Sequence, residues 1–161
     1  MEHLFAPWRF EYVSHAETSS GCIFCAAAAG AEEALTIVRD GEVFALLNRY
    51  PYTSGHTMVA PVTHVAELEE LDETTLGAMM GLAQRVMNAL RAVYGPHAFN
   101  LGMNLGESAG AGIPGHLHLH VVPRWRGDTS FMTVVSDVRV IPEDLTTTLA
   151  KLRQAVARRD G

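Results

Sequence analysis

The string His116-Leu-His118-Leu-His120-Val121-Val122 constrains this chain more than any other. Residues two apart on a strand share a face. An extended run therefore lines up the imidazoles of His116, His118 and His120 on one side and sends Leu117, Leu119 and Val121 into a core. Three imidazoles in strict alternation do not make a routine solvated face, and clustered histidines mark chemical sites. Two chemistries fit the row. Neutral imidazole is a common metal ligand. It also attacks phosphorus as a nucleophile and leaves again. Spacing alone does not decide between them.

The flanking sequence supplies the sheet that such a strand needs. Thr36–Arg39 and Val43–Leu47 read as strands joined at Asp40-Gly41, a hairpin signal. Thr57–Ala60 is another apolar run, stopped by Pro61, and Phe99–Asn104 reads as a further strand. Asp72 is an N-cap for a long helix to Tyr94, closed by Gly95-Pro96. Leu76, Met79, Ala83, Val86, Leu90 and Val93 share one face of it and read as core. Glu143–Arg159 is a second helix, with Leu145, Leu149, Leu152 and Val156 on one side. Ala26–Ala29 is a short helical turn ended by Gly30. Between Phe99–Asn104 and the histidine strand lies a glycine- and alanine-rich loop, Gly106–Gly115. Hairpins dominate over strand–helix alternation, so the class is α+β with a mostly antiparallel sheet.

A length of 161 residues predicts one domain, 1–161, and 48% hydrophobic residues suffice for a core without disulfides. Lys and Arg number 12 against 18 Asp and Glu, a net charge of −6. That balance argues against a nucleic-acid partner, which calls for a basic face. It allows a nucleotide ligand, because backbone N–H groups and a few side chains hold phosphate. No run reaches the roughly 18 apolar residues of a membrane span. The opening Met1–Tyr12 lacks the pattern of a signal peptide, so no membrane partner and a cytoplasmic location are expected.

The only cysteines are Cys22 and Cys25, at ligand spacing. A redox CxxC belongs in a βαβ context, which is absent here. A pair of unligated thiols remains an alternative. A structural zinc site needs four ligands.

His116–Val122 matches in full the His-φ-His-φ-His-φ-φ signature of the histidine triad (HIT) family. Phe44–Pro61 resembles that family's strand–turn–strand block, and Asn104 before the glycine loop also matches. The resemblance runs from Cys22 to Trp125. It implies a HIT fold: about five antiparallel strands and two main helices, with the sheet extended across a homodimer. It also implies an enzyme that cleaves dinucleoside polyphosphates of the diadenosine tetraphosphate type, by phosphorolysis or hydrolysis. The alternatives are a purine-nucleoside phosphoramidate hydrolase and a zinc-dependent hydrolase using all three histidines.

The resemblance carries roles residue by residue. His118 matches the nucleophile that forms a covalent nucleotidyl-histidine. His120 matches a residue that hydrogen-bonds phosphate oxygens and helps protonate the leaving group. His56 matches a supporting site histidine. Asn48 matches a ribose-binding Asn, and Asn104 a residue near the phosphates. Gly110, Ala111 and Gly112 would offer backbone N–H groups to phosphate. Many members carry Gln or Ser where this chain has Gly112 and Ile113, so backbone contacts must serve there. Pro7–Tyr12 and Val122–Trp125 resemble the bacterial diadenosine-tetraphosphate phosphorylase branch, which implies inorganic phosphate as an acceptor. In that tail Arg124 would meet phosphate and Trp125 would stack on a base. Zinc-bearing relatives add His64 and His116 to Cys22 and Cys25, giving a structural zinc and no organic cofactor.

Overall fold

The computed structural model describes residues 21–31, 35–128 and 141–158. The Pro7–Tyr12 opening and the end of the Glu143–Arg159 helix at Arg159 lie outside them. Eight main elements follow in order: α1 Ile23–Ala28, β1 Thr36–Asp40, β2 Val43–Leu47, β3 Thr57–Pro61, α2 Glu73–Tyr94, β4 Ala98–Gly102, β5 Leu119–Arg124 and α3 Leu145–Ala157. The strands form one antiparallel five-stranded sheet in the order β1-β2-β3-β5-β4.

Strict alternation divides β2 and β3 between two cores. Val43, Ala45, Leu47 and Val59 face α2 and α3, joined there by Leu119 and Val121 of β5. Phe44, Leu46, Met58 and Ala60 face the other way and pack on Phe24, Ala27 and Ala28 of α1. Both central strands are buried throughout, which is why neither shows a polar side in the sequence. The short α1 covers only part of the second face. The histidines occupy that face beside it.

The helix ends follow local chemistry. The Asp72 carboxylate accepts from the Thr75 backbone N–H at 2.8 Å, and Gly95 closes α2 with φ of 56°. Met79, Ala83, Val86 and Leu90 are buried as the periodicity predicts, joined by Leu82 and Ala89, while Leu76 and Val93 are half-buried. Asp144 caps α3 through the Thr147 N–H, so that helix begins at Leu145 rather than at Glu143. Glu143 instead bonds Tyr94, Thr148 and Lys151, tying α3 to the end of α2.

Two strand boundaries differ from the sequence reading. β4 ends at Gly102, leaving Asn104 in the loop that follows. Regular pairing of the histidine strand starts only at Leu119 and runs on to Arg124. His116 to His118 precede that regular pairing, and the Leu117 N–H instead donates to the Val65 carbonyl at 2.7 Å.

Candidate active site

The three imidazoles each meet a different partner. His118 is 6% exposed. Its Nδ1 lies 2.8 Å from the backbone carbonyl of His116. A carbonyl only accepts, so Nδ1 carries the proton and Nε2 keeps a lone pair. That is the tautomer a nucleophile requires.

A second chain of bonds sets His56 and His120. The Tyr52 backbone N–H donates to His56 Nδ1 at 3.1 Å. His56 must therefore carry its proton on Nε2, which donates to His120 Nδ1 at 3.0 Å. His120 is left with its N–H on Nε2. The relay converts one backbone amide into a fixed donor beside His118, whose ring centroid is 4.9 Å from that of His120. His56 is brought there by the turn before β3. Gly55, at φ of 79°, passes so close to α2 that a Cβ on it would sit 2.6 Å from Leu90 Cδ2.

All four rings, His56, His116 and His118 buried and His120 half-buried, favour the neutral form. Burial, then repulsion from His120 and His118, pushes His56 down to about 3. Burial and the nearby His118 push His120 down to about 4. Burial also lowers His118 and His116, against the pull of the carbonyl each one bonds. At neutral pH the row is a set of free bases.

His116 belongs to a separate cluster. Its Nε2–H donates to the Pro61 carbonyl at 2.9 Å, which turns the Nδ1 lone pair toward Cys22 Sγ at 3.3 Å and Cys25 Sγ at 3.6 Å. His64 Nδ1 lies 3.2 Å from Cys25 Sγ. Ligand atoms of these four residues all fall within 4.8 Å of one another. Zn–S and Zn–N bonds in a tetrahedron place sulfur and nitrogen about 3.5 Å apart, so this donor set fits a Cys2His2 cation. Desolvation and the adjacent Cys22 push the Cys25 thiol up; a bound cation acts in the opposite sense. His118 and His120 are not among the residues whose ligand atoms converge there; their Nδ1 atoms meet the His116 carbonyl and His56.

Residues 30–127 match the HIT domain family. A protein of Mycobacterium tuberculosis described as AP-4-A phosphorylase is 38% identical over 98% of this chain and 86% of its own length. An Arabidopsis thaliana adenylylsulfatase, HINT3, is 30% identical over 72% of this chain and 58% of its own. A Zn-bound histidine triad family protein from Mycobacterium smegmatis has a TM-score of 0.73 at 34% identity, covering 87% of this chain and 96% of its own. The chain belongs to the HIT family. It is a nucleotide-processing enzyme of that family.

The remaining positions matched to HIT relatives are more dispersed. Asn48 follows β2; its Oδ1 accepts from the Tyr50 N–H at 2.9 Å and its Nδ2 lies 3.4 Å from His56 Nδ1, at the edge of the histidine relay. Asn104 donates to the Gly110 carbonyl at 3.4 Å and so clasps the glycine loop. The Gly110 N–H closes a turn on the Glu107 carbonyl at 2.9 Å. That donor is spent inside the loop rather than on a phosphate; Ala111 and Gly112 come next. The Trp125 indole donates to the Tyr94 carbonyl at 3.4 Å. Arg124 pairs with Asp128 at 2.5 Å and bonds Asn100 at 2.8 Å. Both side chains of the tail are thus engaged away from the histidines.

Sequence reasoning missed two contributors. Tyr52 acts through its backbone N–H, which no residue-type pattern reports. Phe24, between the two cysteines, stacks on His118 with centroids 4.6 Å apart. Its place inside the CxxC was visible, but not the ring it meets.

Proposed function

We propose that this enzyme cleaves dinucleoside polyphosphates of the diadenosine tetraphosphate type through a covalent nucleotidyl-His118 intermediate. One observation carries the reading: the Nδ1 contact with the His116 carbonyl, 2.8 Å, which makes His118 Nε2 an unprotonated, oriented nucleophile. Nε2 attacks the α-phosphorus, the bond to the bridging oxygen breaks, and ATP leaves. The ring becomes cationic as the N–P bond forms, and the His116 carbonyl stabilises that charge. His120 presents a neutral Nε2–H to the phosphate oxygens. A departing polyphosphate is a stable anion, so this group serves as a hydrogen-bond donor rather than as a strong acid. His56 fixes the direction of that donor. Asn48 holds a ribose hydroxyl, while Asn104 shapes the loop whose Ala111 and Gly112 approach the phosphates. Trp125 would need to leave the Tyr94 carbonyl before stacking on a base.

Phosphate then competes with water for the intermediate and gives ADP. The support is the similarity to the mycobacterial AP-4-A phosphorylase over nearly the whole of this chain. The test is turnover of diadenosine tetraphosphate in oxygen-18 water with millimolar phosphate, read by mass. Unlabelled ADP with ATP is the expected product pair. Predominant AMP carrying the heavy oxygen would make the enzyme a hydrolase. His118→Ala should abolish the nucleotidyl adduct, and substantial turnover by that variant would remove the covalent mechanism.

Cys22, Cys25, His64 and His116 hold a structural zinc in this reading, supported by their donor set and by the Zn-bound relative. The chain is a single domain acting in the cytoplasm; among the described residues no helix is long and apolar enough to cross a membrane. A second copy pairs along β4, where four of the five residues are exposed. The opposite edge, β1, carries an irregularity between Thr36 and Val38, and Arg153 bonds the Thr36 carbonyl, both of which discourage strand addition. Sedimentation should give a dimer mass.

A further inference from the structure

We propose that Phe24 is a positioning residue that carries the state of the Cys22–Cys25–His64–His116 cluster to the His118 ring. The inference rests on the covalent reading of His118 for its kinetic consequence, and on geometry alone for the coupling. Phe24 is fully buried. Its ring lies 4.6 Å from the His118 centroid at 30°, and 5.1 Å from that of His116 at 39°. Attack on phosphorus needs the Nε2 lone pair, which lies in the ring plane, aimed in line with the breaking bond. The Nδ1 contact with the His116 carbonyl anchors one edge of the ring but leaves its tilt open. The stack on Phe24 fixes the plane.

Both restraints come from residues of the metal-ligand cluster or from the turn between its ligands. Phe24 sits in Cys22-Ile-Phe-Cys25, so two sulfur ligands bracket it. Helix α1 has six residues and no side-chain cap, too short to persist by itself. Ligation of Cys22 and Cys25 tethers that turn and presses Phe24 onto His118. Release of the ligands frees the turn and with it the ring plane.

The experiment uses the full-length protein with Phe24→Leu and Phe24→Met, both apolar and without a ring. Imidazole proton shifts are read by NMR at about pH 8. In the parent protein the His118 ring protons should be displaced upfield by the stacked ring; in both variants that displacement should vanish with bound zinc unchanged by elemental analysis. kcat on diadenosine tetraphosphate should fall about 10-fold or more, since small misplacements of a reacting group cost that much, while KM stays within about twofold. Chelation of the parent protein should move the His118 signals toward their position in the variants, and chelation of the variants should move them less, since only the His116 carbonyl still links His118 to the cluster there. Unchanged kcat, absence of the upfield displacement in the parent, or an equal response to chelator in the variants would each overturn the proposal. If the parent protein leaves diadenosine tetraphosphate intact, the functional reading fails, and the chemical shifts still decide the coupling. Should Phe24→Leu fail to fold, the same measurements on Phe24→Met and on the chelated parent decide it.

Discussion

His56 Nε2 donates to His120 Nδ1 across 3.0 Å, and this bond joins the turn before β3 to the histidine strand. It passes the orientation of one backbone amide, Tyr52 N–H, to the outer nitrogen of His120. Replacement of His56 by Ala should therefore impair His120 without touching His118. The expected loss is about 10²-fold in kcat, the lower range for a misdirected catalytic hydrogen-bonding group. Pre-steady-state trapping should still detect the His118 adduct, formed slowly. A kcat within a factor of two of the parent would mean that His120 holds its tautomer unaided.

Acid should inactivate and destabilise the protein together. His56 and His120 are pushed down to about 3 and about 4, against about 6.5 in an unfolded chain. Below that unfolded value the unfolded state binds more protons, so stability falls as pH drops from about 6.5 through the two folded values. Above 6.5 their contribution is complete. Thermal melts from pH 8 to pH 4 should show Tm flat at first and then declining, with a shallower decline in His56→Gln. A Tm that rises toward pH 4 would contradict the buried neutral state.

Loss of the cysteine ligands should cost metal and stability at once, because site assembly is coupled to folding. Cys22→Ser combined with Cys25→Ser should abolish near-stoichiometric zinc in protein purified without chelator. A loss on the order of 3 kcal/mol would lower Tm by about 6–12 °C for a chain of this size. Elemental analysis beside a melting curve checks both, and zinc-free parent protein would sink the assignment.

Gly55 allows the close approach of the His56 turn to α2. At φ of 79°, and with a Cβ placed 2.6 Å from the buried Leu90 side chain, Gly55→Ala combines a left-handed backbone with overpacking. The two effects together should destabilise by about 2–4 kcal/mol. Denaturant titration should show the shift in midpoint, and kcat should fall as His56 moves. An unchanged midpoint would show that Leu90 yields freely.

The elements that periodicity and capping define are legible in the sequence. Asp72 and Gly95 bound α2, Asp40-Gly41 turns β1 into β2, and the His-Leu alternation sets one face of the histidine strand against the other. These are local relations, settled by neighbours within a few residues. The ends of strands were less legible. Asn104 and His118 look like strand residues, but where regular pairing begins and ends is decided by partner strands that are distant in sequence.

The sequence by itself determined that three imidazoles share a face, that a CxxC lies near the start of the chain, and that a mixed fold surrounds them. Only the tertiary structure decided which imidazole does what. His116 is assigned to the cysteines because Pro61, 55 positions away, takes its other nitrogen. His120 becomes a donor because His56, 64 positions away, meets it. His118 keeps its lone pair through a carbonyl two residues back, yet its ring stacks on Phe24, which is distant in sequence. A tautomer depends on the partner of the opposite ring nitrogen. For His116 and His120 that partner comes from a sequence-distant segment of the folded chain, which residue spacing does not encode.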